Sequence, residues 1–533
     1  MTMADMRLWR LMYEPLDRAC RYYPARTAVI DGERRLTYAE LGAFTNRVAN
    51  GFIELGLKPG EAVGMLMPNC LEFIPTQHGL WKSGGVMVQM PARASAHDHA
   101  YFLNAASATT LVYHELFADI VDQLRAQCPT VRRFIRIPAV PASATEVSEP
   151  SDELSFKEVF DNQPATPPSI HVEPEDLVSI SFTSGSTGQP KAVKNSHERT
   201  LHMHIPSGTE IGDVRAGEVF ALGAPLTHFA QIFVLPTLLH GGTLVLLPGL
   251  DVDLLFDVVE QHAVTATALV PTVIYQMLNH PRRDEVDLSS LRTVVYAGSP
   301  IAPDRLRSAI ELFGQVFTQT YAGTEPGFMT CLTKDDHDLN DPAAVGRLGS
   351  AGRAMSHVEL SIQDDQDRVL PVGEVGEICC RQPGRMVGYV DAAQDAGTIR
   401  DSWVHTGDIG YVDELGYVYV VDRKKDMVVT GGFNVFPRQI EDVLLTHPDV
   451  AQCAVIGVPD EKWGEAVKAI VVSTPDSAVG ADDLKTLVKE RKGGVWAPKS
   501  IDFVDDLPLT TTGKVDKKAL KAPFWRDQDR LVH

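Results

Sequence analysis

A run of small hydroxyl and glycine residues follows an apolar stretch near position 180. The apolar letters VSISF predict a strand, and the run TSGSTG after it is followed by Gln, Pro and then Lys. Glycine lets the backbone approach a ligand closely, successive N–H groups form an anion-binding concavity, and an ammonium group adds positive charge. We therefore predict a phosphate-binding loop that consists of Thr183, Ser184, Gly185, Ser186, Thr187, Gly188 and Lys191.

The spacing of this loop differs from that of the common P-loop. In the pattern G-x-x-x-x-G-K-[ST] the lysine directly follows the last glycine, whereas Gln189 and Pro190 separate Gly188 from Lys191. The loop is therefore not the one found in typical kinases and GTPases. On spacing alone, a flexible surface loop rich in serine and glycine stays an open alternative.

Five further stretches carry residues that could take part in the same chemistry. They read PLTHFAQ (225–231), VVYAGSPIAP (294–303), QTYAGTEPG (319–327), the segment from WVHTGD to FPRQIE (403–441) and PLTTTGKVDKKAL (508–520). Together with TSGSTGQPK, they resemble the ordered motifs of the adenylate-forming enzymes, which include acyl- and aryl-CoA synthetases, stand-alone adenylation domains and luciferases. The resemblance covers nearly the whole chain, and it departs from the family pattern at Ala192 and Ala322, where glycine is usual.

The resemblance implies a reaction in two halves. A carboxylate attacks the α-phosphate of ATP, which gives an acyl-adenylate and pyrophosphate, and a thiol then attacks the adenylate. Positioning and charge neutralisation carry most of such phosphoryl chemistry. We therefore expect an ATP-dependent acid–CoA ligase that uses ATP, Mg²⁺ and coenzyme A.

By the same resemblance, two residues of the Tyr-Ala-Gly-Thr-Glu motif act on the phosphates. Glu325 has the oxygen chemistry that Mg²⁺ prefers and binds the metal with Thr187 as a second ligand. Thr324 contacts the α-phosphate. For Glu325 the alternative is a solvated carboxylate in a loop.

Four residues are expected to hold the nucleoside part of ATP. Tyr321 offers a flat face on which adenine can stack, and Gly298 lies in the strand and turn beside the base. Asp408 and Arg423 correspond to the two ribose contacts of the family. The alternatives are a core tyrosine and an ordinary surface ion pair.

The resemblance assigns the second half of the reaction to the end of the chain. Lys514 would neutralise the charge that develops between the substrate carboxylate and the α-phosphate. Lys425 matches the hinge about which the C-terminal lobe rotates, so that the thiol can reach the same carbonyl. Gly431 and Gly432 would line the tunnel for the pantetheine arm, although a simple glycine turn is an alternative.

The acid pocket is expected to be apolar and roomy. Amino-acid-activating relatives place an acidic residue near PLTHFAQIF to pair with the substrate ammonium, and this stretch has none. We therefore expect a hydrophobic acid without an amine, of aromatic, branched or ring-bearing type. His228 would orient the acid or gate the thiol, with a satisfied core histidine as the alternative. The predicted pocket residues are His228, Phe229, Ala297, Ala322, Gly323, Phe328 and Met329.

Rival functions remain at this stage. A stand-alone adenylating enzyme that loads the thiol of a carrier protein is the second candidate. A non-catalytic nucleotide-binding scaffold is a third, but the joint presence of Lys191, Glu325, Asp408, Arg423 and Lys514 argues against it. A luciferase-type oxygenase is not singled out by any residue.

The composition limits the kinds of partner that the protein is expected to bind and indicates a cellular compartment. The chain has 533 residues and a formal net charge of −21, which argues against non-specific binding to nucleic acid or an anionic membrane. The N-terminal residues do not read as a signal peptide, and the apolar stretch IFVLPTLLHGGTLVLLPG predicts a buried helix–turn–strand unit rather than a span. Seven cysteines without a zinc or disulfide pattern predict a cytoplasmic protein. Homodimerisation is left open.

These motifs require an α/β scaffold with a mobile C-terminal part. Strand and helix patterns alternate through the first half of the chain, which predicts mixed, mostly parallel sheets flanked by helices. Residues 138–176 predict a surface connection, and residues 356–421 predict a β-rich subdomain with short antiparallel strands. We expect a large adenylation domain at residues 1–424, followed by a small α+β domain at 425–533.

Overall fold

The computed structural model describes residues 9–139, 153–183, 190–299, 301–474, 477–510 and 515–525. Among the helices in these ranges, none combines the length and the apolar character that crossing a membrane requires.

Four sheets hold the strands of the described residues. The first part of the chain contributes β1 (Thr27–Asp31), β2 (Arg34–Thr37), β3 (Ala62–Leu66), β4 (Val86–Gln89), β5 (Thr110–His114), β6 (Arg133–Ile137), β7 (Glu153–Ser155) and β8 (Leu177–Thr183). The next strands are β9 (Lys191–Ser196), β10 (Val219–Leu222), β11 (Thr243–Leu246), β12 (Ala266–Leu269), β13 (Thr293–Tyr296), β14 (Phe317–Gly323), β15 (Gly327–Leu332) and β16 (Arg353–Ala354). Then follow β17 (Glu359–Gln363), β18 (Gly376–Arg381), β19 (Gly388–Tyr389), β20 (Ile399–Arg400), β21 (Trp403–Val412) and β22 (Val418–Arg423). The last strands are β23 (Val428–Thr430), β24 (Phe433–Val435), β25 (Val450–Asp460), β26 (Gly464–Ser473) and β27 (Ser500–Phe503).

The α-helices pack on the faces of these sheets. Those before residue 280 are α1 (Glu14–Tyr22), α2 (Tyr38–Glu54), α3 (Phe73–Lys82), α4 (Ala96–Ala105), α5 (Ala118–Gln127), α6 (Phe156–Phe160), α7 (His197–Gly212), α8 (Val234–Leu239), α9 (Val252–His262) and α10 (Pro271–Leu278). The others are α11 (Pro303–Phe313), α12 (Pro342–Arg347), α13 (Pro437–Leu444), α14 (Ala481–Lys492) and α15 (Lys517–Lys521).

Two large sheets form the body of the N-terminal domain. The nine-stranded sheet has the order β16-β15-β14-β13-β12-β10-β11-β1-β2, and the eight-stranded sheet has the order β19-β9-β8-β4-β3-β5-β6-β7. The inner strands of both sheets pair in parallel, whereas β8, β9 and β19 pair antiparallel at one edge and β14, β15 and β16 at another. The main core fills the space between the sheets and buries Trp81, Phe220 and Phe233.

Two smaller five-stranded sheets follow. One is antiparallel throughout, with the order β17-β18-β21-β20 and β22 on β21, and the other has the order β24-β23-β26-β25 with β27 on β26. The second sheet has its own core with α13 and α14, which includes Ile440, Val455 and Leu484. The predicted fold class, with a β-rich subdomain and a small α+β C-terminal domain, is confirmed. The boundary at residues 424 and 425 stays a prediction.

The predicted surface connection at residues 138–176 is partly wrong. Residues 140–152 lie outside the described ranges, but Glu153–Ser155 adds a parallel edge strand to the eight-stranded sheet. The helix that follows buries Phe156 and Phe160, and the Phe160 ring lies 5.1 Å from that of Phe52 on α2. Two aromatic side chains thus anchor a segment whose polar composition predicts only a loop.

All seven cysteines are free thiols. Five are buried, and Cys20 and Cys453 are half-buried. Such positions are typical of cysteines that act as small hydrophobic residues of the interior.

Candidate active site

Strands β8 and β9 bring the two ends of the predicted phosphate loop together. Thr183 is the last residue of β8, Lys191 is the first residue of β9, and the two are partners in the antiparallel register. The Tyr101 hydroxyl donates to the carbonyl oxygen of Pro190 at 2.7 Å and holds this end of the loop. The other predicted loop residues, Ser184, Gly185, Ser186, Thr187 and Gly188, lie outside the described residues.

The hairpin of β14 and β15 carries the next group of predicted residues. Tyr321 stands before an irregularity in the register, and Thr324 and Glu325 lie in the turn that follows Gly323. Thr324 is exposed and Glu325 is half-buried. The side-chain amide of Gln382 donates to the carbonyl oxygens of Pro326 and Phe328, the latter at 2.9 Å, and so fixes the turn from outside. Sequence reasoning did not find Gln382.

On one side of this hairpin lies the predicted nucleoside group. The Tyr321 hydroxyl donates to Asp408 Oδ2 at 2.6 Å, and Arg423 Nε lies 3.1 Å from Asp408 Oδ1. Asp408 is buried, whereas the Arg423 side chain is 49% exposed. Burial raises the pKa of Tyr321 well above its usual range and the Asp408 carboxylate raises it further, so the phenol stays a donor. One hydrogen bond and one ion pair therefore join Tyr321, Asp408 and Arg423.

A buried carboxylate, that of Glu377 on β18, holds the turn before Asp408. Its Oε1 accepts a hydrogen bond from the backbone N–H of Gly407 at 3.0 Å, and its Oε2 lies 3.6 Å from Lys424 Nζ. The Lys424 N–H in turn donates to the carbonyl oxygen of Gly407 at 2.8 Å. Gly407 has a φ of +72°, which favours glycine at this position. Glu377 is a second positioning residue that the motifs did not reveal.

On the other side of the hairpin lies the predicted metal-binding carboxylate. Glu325 Oε1 accepts hydrogen bonds from Thr183 Oγ1 at 3.2 Å and from the Tyr389 hydroxyl at 2.9 Å. Lys191 Nζ lies 4.8 Å from the centre of the Tyr389 ring. Neither hydrogen bond uses Glu325 Oε2. One carboxylate oxygen beside a phosphate-binding loop fits Mg²⁺, which commonly takes one or two carboxylates together with phosphate oxygens and water. Tyr389 lies outside the quoted motifs and was missed.

A buried asparagine positions the segment that contains His228. The side chain of Asn69 donates to the carbonyl oxygens of Leu222 and Ala224 at 3.0 and 2.9 Å, and its Oδ1 accepts from the N–H of Leu226 at 2.9 Å. His228 is half-buried at the end of this segment, with its Nδ1 2.9 Å from Thr227 Oγ1. Asn69 was also missed, because its partners are about 150 residues away along the chain.

The predicted acid-pocket residues fall into two groups. The Phe229 and Phe328 rings lie 6.2 Å apart, and both contact the main core together with Ala322. Met329 belongs to a different cluster with Cys380 and Val404, because successive residues of a strand point to opposite faces. The structure therefore does not bring Met329 together with the two phenylalanines.

The small residues of the predicted pocket have local structural reasons as well. A Cβ on Gly323 would lie 2.9 Å from the Pro326 ring, so the tight turn itself requires glycine there. Gly298 has a φ of +93° and is exposed at the end of β13, next to the buried Ala297. Glycine at these two positions is therefore weak evidence about the size of the acid.

The predicted hinge lies in a turn between the two smaller sheets. The Asp426 N–H donates to the carbonyl oxygen of Arg423 at 2.9 Å, which closes a turn around Lys425. The buried Asp422 accepts a hydrogen bond at 2.9 Å from the N–H of Arg438, which opens α13. Lys521 Nζ lies 3.3 Å from Asp426. The residues around the predicted hinge thus contact α13 by hydrogen bonds and α15 by an ion pair.

Gly431 and Gly432 join β23 to β24 as a two-residue hairpin turn. Their φ angles are +58° and +82°, the combination that such tight hairpins favour. A Cβ on Gly431 would lie 2.5 Å from the Trp463 ring, whereas Gly432 faces open space. The turn accounts for both glycines, and the role in a pantetheine tunnel stays a prediction. Lys514 lies outside the described residues.

Comparison with known proteins gives consistent matches over the whole chain. The family model described as AMP-binding enzyme matches residues 16–390, and that of the AMP-binding enzyme C-terminal domain matches residues 439–514. The medium/long-chain-fatty-acid–CoA ligase FadD8 of Mycobacterium tuberculosis is 37% identical over 94% of this chain and 88% of its own length. The feruloyl-CoA synthase of an Amycolatopsis species is 34% identical over 95% of this chain and 98% of its own.

A similar solved structure is that of the anthranilate CoA ligase AuaEII in complex with anthranoyl-AMP. It superposes with a TM-score of 0.87 at 25% sequence identity, and the match covers 98% of this chain and 99% of the other.

Proposed function

This chain belongs to the AMP-binding enzyme family as an AMP-forming acyl-CoA synthetase, and from that premise we propose its substrate class and the roles of its residues. It activates a hydrophobic carboxylic acid that has no amine and transfers the acyl group to the thiol of coenzyme A. The acid is of aromatic, branched or ring-bearing type.

One observation carries the proposal. In the hairpin of β14 and β15, Tyr321 contacts Asp408, the partner of Arg423. Four residues later, Glu325 contacts Thr183 and the Tyr389 hydroxyl, and the ring of this tyrosine lies under Lys191. One short segment thus connects a ribose- and base-binding group with a phosphate- and metal-binding group. ATP is a ligand that needs both groups at once.

In the first half-reaction an oxygen of the acid forms a bond to the α-phosphorus of ATP, and the bond to the pyrophosphate oxygen breaks. Lys191 and the Thr183-to-Gly188 loop bind the β- and γ-phosphates, and Thr324 contacts the α-phosphate. Glu325, with Thr187, would hold Mg²⁺, which when bound would neutralise charge on the leaving pyrophosphate. Lys514 binds the substrate carboxylate and an α-phosphate oxygen as negative charge develops.

In the second half-reaction the thiol sulfur attacks the carbonyl carbon, and AMP leaves. The C-terminal domain, residues 425–533, rotates about Lys425, so that Lys514 withdraws and the Gly431–Gly432 turn admits the pantetheine arm. His228 lies at the end of the segment that Asn69 fixes, and it orients the acid or gates the thiol.

Two features support the proposed acid class. The Phe229 and Phe328 rings supply an apolar wall, Ala322 packs against the same core, and residues 227–231 contain no carboxylate that could pair with a substrate ammonium. A charged amine in this wall would be left without a partner, which is costly. Free cysteines throughout support a reducing compartment such as the cytoplasm.

A panel of acids with a pyrophosphate readout tests the proposal. The panel contains aromatic, branched, ring-bearing and straight-chain acids and the twenty amino acids, each assayed with and without coenzyme A. We expect pyrophosphate release with an aromatic, branched or ring-bearing acid and a thioester product only when coenzyme A is present. Preference for an amino acid would contradict the substrate class, and adenylate formation without any thioester to free coenzyme A would favour an enzyme that loads a carrier protein.

A further inference from the structure

Tyr389 lies between the two charged residues that are expected to bind magnesium and phosphate. Its hydroxyl donates to Glu325 Oε1 at 2.9 Å, and its ring face lies 4.8 Å below the ammonium group of Lys191. Within the part of the chain that the structure describes, no ion pair joins Lys191 directly to Glu325. The ring therefore stands where a direct contact of the two opposite charges would otherwise form.

A direct ion pair would weaken both binding groups. At contact distance the attraction between two unit charges near a protein surface is large enough to compete with a ligand for each of them. A lysine on an aromatic face keeps its full charge and its donors for a phosphate, because the ring attracts the cation without neutralising it. A carboxylate that accepts from a neutral phenol likewise keeps its negative charge for a metal ion.

The backbone holds the Tyr389 ring rigidly in this place. Tyr389 is 1% exposed, and its N–H donates to Asp395 Oδ1 at 2.7 Å. Strand β19 pairs antiparallel with β9, where Tyr389 lies opposite Val193, and the N–H of Val390 donates to the carbonyl oxygen of Ala192 at 2.8 Å. The tyrosine is therefore fixed to the same strand that begins with Lys191.

The phenol also stays in the form that donates. An ordinary tyrosine phenol, with a pKa of about 10, is protonated at neutral pH and can donate. Its oxygen lies 3.3 Å from Thr398 Oγ1, a second polar contact that limits rotation of the hydroxyl.

We propose that Tyr389 is a positioning residue that keeps the metal-binding carboxylate of Glu325 apart from the phosphate-binding ammonium of Lys191 and aims both at the same triphosphate. This inference rests on the proposed function, because it presupposes that the two residues bind Mg²⁺ and phosphate. Hydroxyl and ring have separate roles: the hydroxyl orients Glu325, and the ring supports Lys191.

Two substitutions separate these roles. Tyr389→Phe removes the hydroxyl and keeps the ring, whereas Tyr389→Leu removes both. The full-length chain is titrated calorimetrically with ATP in excess EDTA and with ATP in excess Mg²⁺, and the ratio of the two dissociation constants gives the gain in affinity from the metal. Tyr411→Phe, in an aromatic pair remote from these residues, is the matched control.

We expect Tyr389→Phe to bind metal-free ATP like the wild type. The factor by which Mg²⁺ increases its affinity for ATP should be about five- to tenfold smaller than in the wild type. Tyr389→Leu should in addition bind metal-free ATP about threefold more weakly, because Lys191 loses its support and can pair with Glu325. In a Glu325→Gln background, Tyr389→Phe should have no further effect on the gain. A merely structural role would lower all affinities together in either background.

Three results would overturn the inference. A Tyr389→Phe variant with the full gain from Mg²⁺, or a Tyr389→Leu variant that binds metal-free ATP as the wild type does, would contradict it and leave the proposed function intact. The inference would also be contradicted if Tyr389→Phe reduced the gain from Mg²⁺ as much in the Glu325→Gln background as in the wild-type background. A wild-type chain that bound no ATP would instead refute the proposed function, and this inference with it.

Discussion

The Tyr321 hydroxyl and the Asp408 carboxylate share a hydrogen bond of 2.6 Å that joins β14 of the nine-stranded sheet to the antiparallel five-stranded sheet. Asp408 is at the same time the partner of Arg423, across β21 and β22. Its two oxygens are thus occupied by residues from two different sheets. Rotation of one sheet against the other would therefore disturb the nucleoside group.

Loss of this hydrogen bond should affect ATP binding more than chemistry. Tyr321→Phe keeps the ring that is proposed to stack on adenine but leaves one oxygen of a buried carboxylate without its donor. We expect the KM for ATP to rise about three- to tenfold with little change in kcat, and the free energy of unfolding to fall by about 1–3 kcal/mol. Pyrophosphate-release kinetics and urea unfolding measure these effects.

Tyr419→Phe is the control for this substitution, because its ring lies in the separate stack with Tyr411. A fall in kcat at an unchanged KM for ATP would contradict the role given to Tyr321.

Removal of the C-terminal lysine should separate the two half-reactions. Lys514→Ala should lower the rate of adenylate formation by about 100-fold or more, because the positive charge is needed only while the α-phosphate is attacked. Thioester formation from a supplied acyl-adenylate should be retained. Lys489→Ala, at an exposed position of α14, should leave both rates unchanged. Equal losses in both half-reactions would contradict the assignment.

Restricting rotation at the predicted hinge should impair thioester formation more than adenylate formation. Proline at position 425 fixes φ near −65° and biases Lys424 towards extended conformations, so the turn closed by Arg423 and Asp426 can change less freely. We expect Lys425→Pro to reduce thioester formation about tenfold or more and to reduce adenylate formation less. Lys425→Ala, which removes the side chain without restricting the backbone, serves as the comparison. Unaltered thioester formation would refute the hinge.

A buried histidine that is not among the proposed site residues should make the fold sensitive to acid. Burial lowers the pKa of His99 from 6.5 to about 4, and neither ring nitrogen has a hydrogen-bond partner among the described residues. The unfolded chain takes up a proton near pH 6.5, whereas the folded chain does so only near pH 4. Stability is therefore complete above pH 6.5 and falls as the pH decreases towards 4, by at most about 1.4 kcal/mol per pH unit for this group.

His99→Leu should remove this share of the acid sensitivity. We expect the variant to be at least as stable as the wild type at pH 7.5 and to lose about 2 kcal/mol less between pH 6.5 and pH 4.5. Urea unfolding at both pH values measures the difference. His171→Leu, at an exposed position, is the control and should follow the wild type. Parallel pH profiles for His99→Leu and the wild type would contradict the prediction.

Local sequence patterns predicted the elements well because they encode local interactions. A capping box of Thr37 and Glu40 opens α2, and the predicted alternation of strands and helices corresponds to the parallel sheets. The motif residues Tyr321, Asp408 and Arg423 lie together because Asp408 and Arg423 are partners across β21 and β22 and Tyr321 contacts Asp408.

Residues that act across long sequence separations could not be predicted in this way. Tyr389 and Glu325 are 64 residues apart, Glu377 and Gly407 are 30 apart, and Asn69 binds a segment 157 residues away. Each stands in an ordinary sequence context, and only the packing of the strands gives it a partner. Phe328 and Met329 point to opposite faces of β15, and this separation could be predicted only once the strand and its register were known.

The seven free thiols have a chemical consequence for an enzyme that forms an acyl-adenylate. Such a mixed anhydride is an electrophile that any accessible thiolate could capture, which would acylate the enzyme itself. Burial raises the pKa of Cys128 to about 11 and that of Cys331 to about 12, and it raises the pKa of the other five as well. At neutral pH roughly one Cys128 in ten thousand is ionised. We therefore expect the protein's own cysteines to compete poorly with an incoming cofactor thiol, so that acylation of the enzyme by its intermediate is slow.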